Sequence, residues 1–195
     1  MGKIVCLMGK SSSGKNTIYK KLLEHDELGL KEIVPYTTRP IRSGEQEGIE
    51  YHFVDEAAYN KLLDEGKIVE SREYHTCHGL WRYFTVADKN IDLDSQSYIM
   101  IGTIEAYEKI GTFYGEDKVL PVMIELDDGI RLQRALNREK AQANPRYEEM
   151  CRRFLADLED FSEEKMANAG ITQTFSNRKL RQCLKGIIEY LQENC

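Results

Sequence analysis
The stretch Gly9-Lys10-Ser11-Ser12-Ser13-Gly14-Lys15-Asn16-Thr17 directly follows the apolar run Ile4–Met8 and precedes a helical pattern through Ile18, Leu22 and Leu23. A strand that runs into a glycine-bracketed loop ending in Gly-Lys forms a phosphate cradle. Its backbone N–H groups face the anion, and Lys15 adds a point charge for the outer phosphates. The positive end of the next helix completes the site. The position after the lysine normally carries a magnesium-ligating hydroxyl. Here it is Asn16, with Thr17 one step later. Asn16 can offer a carbonyl oxygen, which predicts weak magnesium binding beside the nucleotide.

This motif constrains the rest of the chain. Apolar strand-like runs recur at Ile4–Met8, Ser97–Ile101 and Val119–Leu126, and more weakly at Ile171–Phe175, with helical patterns between and after them. Leu180, Cys183, Leu184, Ile187, Ile188 and Leu191 share one helical face, and Met150, Phe154, Leu155, Leu158 and Phe161 mark another helix after Asn144-Pro145. Such alternation predicts an α/β, three-layer P-loop fold with a mostly parallel sheet flanked by helices. The chain of 195 residues suits a single domain. Its core is expected at 1–35, 93–137 and 153–195.

Residues 36–92 break the rhythm with a turn-rich stretch and short strands at Glu50–Val54, Lys67–Tyr74 and Trp81–Thr85 around a helix at Asp55–Glu65. They read as an inserted subdomain carrying a second substrate site. The charged stretch Arg138–Arg146 lacks an apolar face and suits a lid, assigned to 138–152.

A net charge of −6 argues against nucleic acid or an acidic membrane as partner. The five scattered cysteines include no Cys-x-x-Cys pair and read as free thiols of a cytoplasmic protein. His75-Thr76-Cys77-His78 lacks further ligands at metal-site spacing and is not read as one. No apolar run reaches membrane-span length.

Within the insertion, Arg39 and Arg42 flank Pro40, which stiffens the loop so that both guanidinium groups can converge on one phosphate. Glu45 is placed to hold an arginine, and Tyr51 and Tyr83 can each donate a hydroxyl.

The segment Tyr36-Thr37-Thr38-Arg39-Pro40-Ile41-Arg42-Ser43-Gly44-Glu45, followed by Gly48-Ile49-Glu50-Tyr51-His52-Phe53-Val54, resembles the GMP-binding segment of guanylate kinases. The resemblance implies a nucleoside-monophosphate-binding insertion in which Arg39, Arg42, Tyr51 and Tyr83 hold the GMP phosphate. It also implies that Glu70 accepts from guanine N1 and N2 and that Thr85 donates to guanine O6. Arg138, with Arg152 or Arg153, would enter from the lid to stabilise the moving phosphoryl group, and Gly9–Thr17 would cradle ATP with its magnesium. The expected reaction is ATP + GMP to ADP + GDP. Departures from the family pattern are Pro35 in place of a serine, Ile101-Gly102-Thr103 in place of Asp-x-Asp, and Phe84 in place of a glycine beside the base pocket. These departures define the alternative, a catalytically weakened module that binds a nucleotide or phosphopeptide.

Overall fold
The computed structural model describes residues 2–42, 45–76, 79–87 and 91–195. Ser43, Gly44, Cys77 and His78 therefore lie outside the described residues, and with them part of the loop segment and of the His75–His78 run.

The strands are β1 (Ile4–Met8), β2 (Lys31–Glu32), β3 (Tyr36–Thr37), β4 (His52–Phe53), β5 (Ile68–Thr76), β6 (Gly79–Val86), β7 (Tyr98–Ile101), β8 (Val119–Glu125) and β9 (Thr174–Ser176). The helices are α1 (Lys15–Leu23), α2 (Glu56–Asp64), α3 (Ile104–Tyr114), α4 (Asp128–Lys140), α5 (Tyr147–Asp160), α6 (Glu163–Asn168) and α7 (Leu180–Asn194).

The central sheet has the order β2-β7-β1-β8-β9. Its pairings are all parallel, with Ile4 opposite Tyr98 on one side and Val119 on the other. Every residue of β1 is 0% exposed, as expected of a central strand covered on both faces. Alternation then divides the core. Ile4, Cys6 and Met8 pack with Ile104, Ile110, Phe161 and Ile171. Val5 and Leu7 pack with Ile18 and Leu22 of α1 and Cys183, Ile187 and Leu191 of α7. Each fully buried aliphatic side chain contributes about 1.5–3 kcal/mol.

The weak apolar run Ile171–Phe175 becomes a shorter strand, because only Thr174–Ser176 pairs with β8; Ile171 anchors a loop in the core instead. The region from Arg138 onward is also more regular than its polarity suggested. Helix α4 continues through Lys140 and ends on Ala141, and α5 starts at Tyr147.

The second sheet, β4-β3-β6-β5, is mostly antiparallel and lies within residues 36–86. Asp55 caps α2 by accepting from the Ala58 N–H at 2.8 Å. Tyr59 of α2 packs edge-on against Phe84, 4.9 Å between ring centroids, and Phe84 stacks on Tyr36 at 5.5 Å. Phe84 is 0% exposed and forms the core of this unit. It therefore does not line a base pocket, as the sequence comparison suggested: strand alternation turns it toward α2, away from Tyr83 and Thr85.

Candidate active site
The loop after β1 opens at the carboxyl edge of the parallel sheet, where open α/β folds bind their ligands. Its backbone explains its glycines. Gly9 has φ +146°, and a Cβ there would lie 2.6 Å from the Ile124 carbonyl oxygen. Gly14 takes φ +96° as it enters α1 without a side-chain cap. Ser12 also adopts a positive φ, +61°.

Three later elements brace this loop. Asn177 donates to the Ser13 carbonyl at 2.7 Å. Asp157 of α5 accepts from the Ser11 N–H at 2.7 Å. Arg131 of α4 donates to the Ser11 carbonyl at 2.9 Å and to Asp157 at 3.2 Å. Arg131 also bonds Asp128 at 2.7 Å, lies over the Phe154 ring, and is 1% exposed. It is a brace, while its neighbours on the helix do something else.

Arg134 and Arg138 line a cleft of about 380 Å³ together with Ser12, Gly14, Lys15, Asn16 and Thr17. Sequence reasoning selected Arg138 and missed Arg134. The signal was the spacing Arg131, Arg134, Arg138, which puts three arginines along one helical face.

Lys15 folds back so that its ammonium donates to the Gly9 carbonyl and, at 3.0 Å, to the Lys10 carbonyl. Burial lowers its pKa to about 8; Asp157 opposes the shift and Arg131 adds to it. The Ser12 and Ser13 hydroxyls are buried without a protein partner. Buried hydroxyls left in that state beside three cations fit an anionic ligand rich in acceptor oxygens. For magnesium the loop offers only neutral oxygens, the Asn16 carbonyl and the Thr17 hydroxyl, both exposed. Among the described residues no group of three or more His, Cys, Asp or Glu could hold a metal. The donor set thus fits an ion that brings most of its ligands with it, as water and phosphate oxygens.

The second sheet supplies a polar face. Register sets Glu70 opposite Thr85, Arg72 opposite Tyr83, and Tyr74 opposite Trp81. Tyr83 meets both Tyr51 and Tyr74 edge-on, each at 5.5 Å. Arg39 lies 5.0 Å from the Tyr51 ring centroid and 5.4 Å from that of Phe53. Glu45 grips it with two bonds of 2.7 and 2.6 Å. That bond holds the Glu45 carboxyl at about 2, well below its usual range, and raises Arg39 in turn. Arg39 is 3% exposed, yet its Nε is buried without a partner.

Arg39, Glu45, Tyr51 and Tyr83 therefore converge. Arg42 does not join them: its guanidinium sits 5.9 Å over the Trp81 ring, and only its backbone N–H reaches Glu45. Glu70 and Thr85 bond each other at 3.0 Å at the inner end of the face. That end lies next to the core around β1, where Val69 packs against the cluster containing Cys6 and burial pushes the Cys6 thiol up to about 12. Arg72 escaped the sequence reading, although its place two residues after Glu70 on a strand puts both on one face.

Arg152 and Arg153 of α5 both bond Glu149, at 2.7 Å through each Nε, and stay more than half exposed. Thr103, at the end of β7, caps α3 by accepting from the Ala106 N–H at 3.2 Å, and Ile101 is 36% exposed.

A parallel five-stranded sheet with this loop at its carboxyl edge, and a small second sheet beside it, defines a P-loop kinase fold. The family model "Guanylate kinase" matches residues 1–81. Over 86 residues the chain is 42% identical to the guanylate kinase of Mycolicibacterium paratuberculosis, covering 44% of this chain and 37% of that protein. Over 70 residues it is 46% identical to the guanylate kinase of Schizosaccharomyces pombe, covering 35% of this chain and 34% of that protein. The matched segments thus span well under half the length of these relatives. The crystal structure of guanylate kinase from Anaplasma phagocytophilum superposes with a TM-score of 0.66 at 22% identity, covering 98% of this chain and 85% of that one, a likeness of fold. Over its N-terminal segment the chain is similar in sequence to guanylate kinases. No described helix is long and apolar enough to cross a membrane.

Proposed function
We propose that this chain transfers the γ-phosphoryl group of ATP to a nucleoside monophosphate, with GMP as acceptor. One observation carries the reading: a cleft lined by Lys15, Arg134 and Arg138 surrounds a loop whose Ser12 and Ser13 hydroxyls are buried without partners. Such a site neutralises a polyphosphate. Transfer between two nucleotides asks the protein mainly to align two polyanions and stabilise the moving charge.

In this reading Gly9–Thr17 binds the donor phosphates, and Lys15 exchanges its two carbonyl partners for phosphate oxygens. Arg138, with Arg134, neutralises charge on the transferring group. Arg39, oriented by Glu45 and packed against Tyr51, would bind the acceptor phosphate together with the Tyr51 and Tyr83 hydroxyls. Glu70 and Thr85 face the base. Arg42 would have to leave Trp81 to take part, and Arg152 and Arg153 would have to leave Glu149. Magnesium, when bound with ATP, supplies further charge neutralisation, with Asn16 and Thr17 as the protein oxygens nearest to hand. The residues 36–92 then form the monophosphate-binding unit and 138–152 the lid.

The test is ADP release from ATP and magnesium with GMP, dGMP, AMP, CMP, UMP and IMP as acceptors, with Lys15→Ala as blank. Acceptor-dependent turnover lost in the blank supports the reading. Nucleotide binding without turnover on any acceptor overturns it and leaves a binding module.

A further inference from the structure
The base end of the acceptor face carries an ion pair. The Glu70 side chain is 1% exposed, and both of its oxygens are engaged. The Thr85 hydroxyl donates to Oε1 at 3.0 Å, and Arg72 Nε donates to Oε2 at 3.2 Å. Arg72 itself is 24% exposed and lies across from Tyr83, so it covers Glu70 on the side open to the acceptor.

A carboxylate with two open oxygens rewards a base edge with two adjacent donors, which is how it singles out guanine. Here the two oxygens are held unequally. Arg72 brings a charged donor to the carboxylate and Thr85 a neutral one, so the hydroxyl yields first. Its departure frees Oε1 for a single N–H. The released hydroxyl then donates to a neighbouring carbonyl oxygen. An N–H beside a C=O is the N1–C6 edge of a 6-oxopurine. The amino group at C2 finds Oε2 already engaged. Adenine presents an acceptor where Oε1 needs a donor.

We propose that Arg72 is a specificity-determining residue: by holding Oε2 of Glu70 it makes the acceptor site read N1–H and C6=O and ignore the substituent at C2. The substrate class is then the 6-oxopurine nucleoside monophosphates, with hypoxanthine accepted alongside guanine. This rests on the phosphotransfer reading above.

The experiment measures kcat/KM for GMP and IMP in the full chain and in Arg72→Ala, with Arg72→Gln as a second variant that keeps most of the stem. Each protein supplies its own ratio, so a loss of stability cancels. The wild-type chain should accept GMP and IMP within about threefold of each other, and removing Arg72 should raise the preference for GMP about tenfold or more, because both carboxylate oxygens become available to its two donors. Discrimination of tenfold or more by the wild type overturns the inference, as does an unchanged ratio in both variants. Turnover confined to an acceptor without the 6-oxo edge also overturns it while leaving the kinase reading in place. Fluorescence of Trp81, the chain's single tryptophan, on the same face as Arg72, reports binding without catalysis. No turnover and no Trp81 response with any nucleotide would refute the kinase reading itself, and this inference with it.

Discussion

Asp157→Ala removes one carboxylate that does two jobs. It takes the Ser11 N–H at 2.7 Å and it balances Arg131, a guanidinium only 1% exposed. Removing one partner of a buried ion pair costs about 3–5 kcal/mol when nothing else compensates. Here Asp128 still holds Arg131 through two nitrogens, the Ser11 carbonyl holds a third contact, and Asp157 itself is 12% exposed. The charge term therefore falls to the low end, and the stranded Ser11 N–H adds about 1 kcal/mol. Alanine returns a few tenths of a kcal/mol through helix propensity in α5. The expected loss is about 3.5 kcal/mol by urea denaturation, which for a domain of this size lowers Tm by about 7–14 °C. The double variant Arg131→Met with Asp157→Leu should lose clearly less than the two single changes together. A loss below about 1 kcal/mol, or strict additivity in that cycle, would refute the assignment of Arg131 and Asp157 as a coupled brace.

Lys15 gives a pH signature. With its pKa at about 8, nucleotide affinity should fall about tenfold between pH 7 and pH 9 as the ammonium is lost, and Lys15→Arg should flatten the profile in a binding titration. Stability of the free protein should move the other way: the folded pKa lies below the ordinary 10.5, so the unfolded chain binds more protons between about 8 and 10.5. Across that window the wild type gains stability relative to Lys15→Met as pH rises. Phe84→Ala should cost about 3–5 kcal/mol, because it empties the core of the second sheet, and calorimetry should show the loss without a change in nucleotide preference. Asn16→Ser should lower the magnesium concentration needed for half-maximal turnover; an unchanged requirement would remove Asn16 from the metal's surroundings.

The elements that the sequence revealed are those governed by short-range pattern. Ile4–Met8 is wholly apolar and bounded by Gly9, so the central strand and the loop after it were both legible. Arg39 and Glu45 were legible together because proline stiffening and short spacing confine them to one loop, whereas Tyr83, 38 residues further on, joined them only through the family resemblance. What stayed hidden depends on partners distant in the chain. Arg131 looks like any arginine on a polar helix, and its burial is set by Asp157, 26 residues later. Phe84 was misplaced because a residue-for-residue comparison ignores which side of a strand a position faces. Arg72 was missed for the converse reason: strand alternation alone puts it beside Glu70, and its pairing with that carboxylate is a contact within β5.

Helix α5 ties two distant places to one rigid rod. At one point Asp157 holds the loop backbone at Ser11, and one to two turns earlier Arg152 and Arg153 project from the same helix, both paired with Glu149. A rod gripped at the loop cannot tilt without pulling on Ser11 or breaking the Asp157 contacts. Any displacement of α5 that carries Arg152 and Arg153 is therefore coupled to the loop backbone at Ser11.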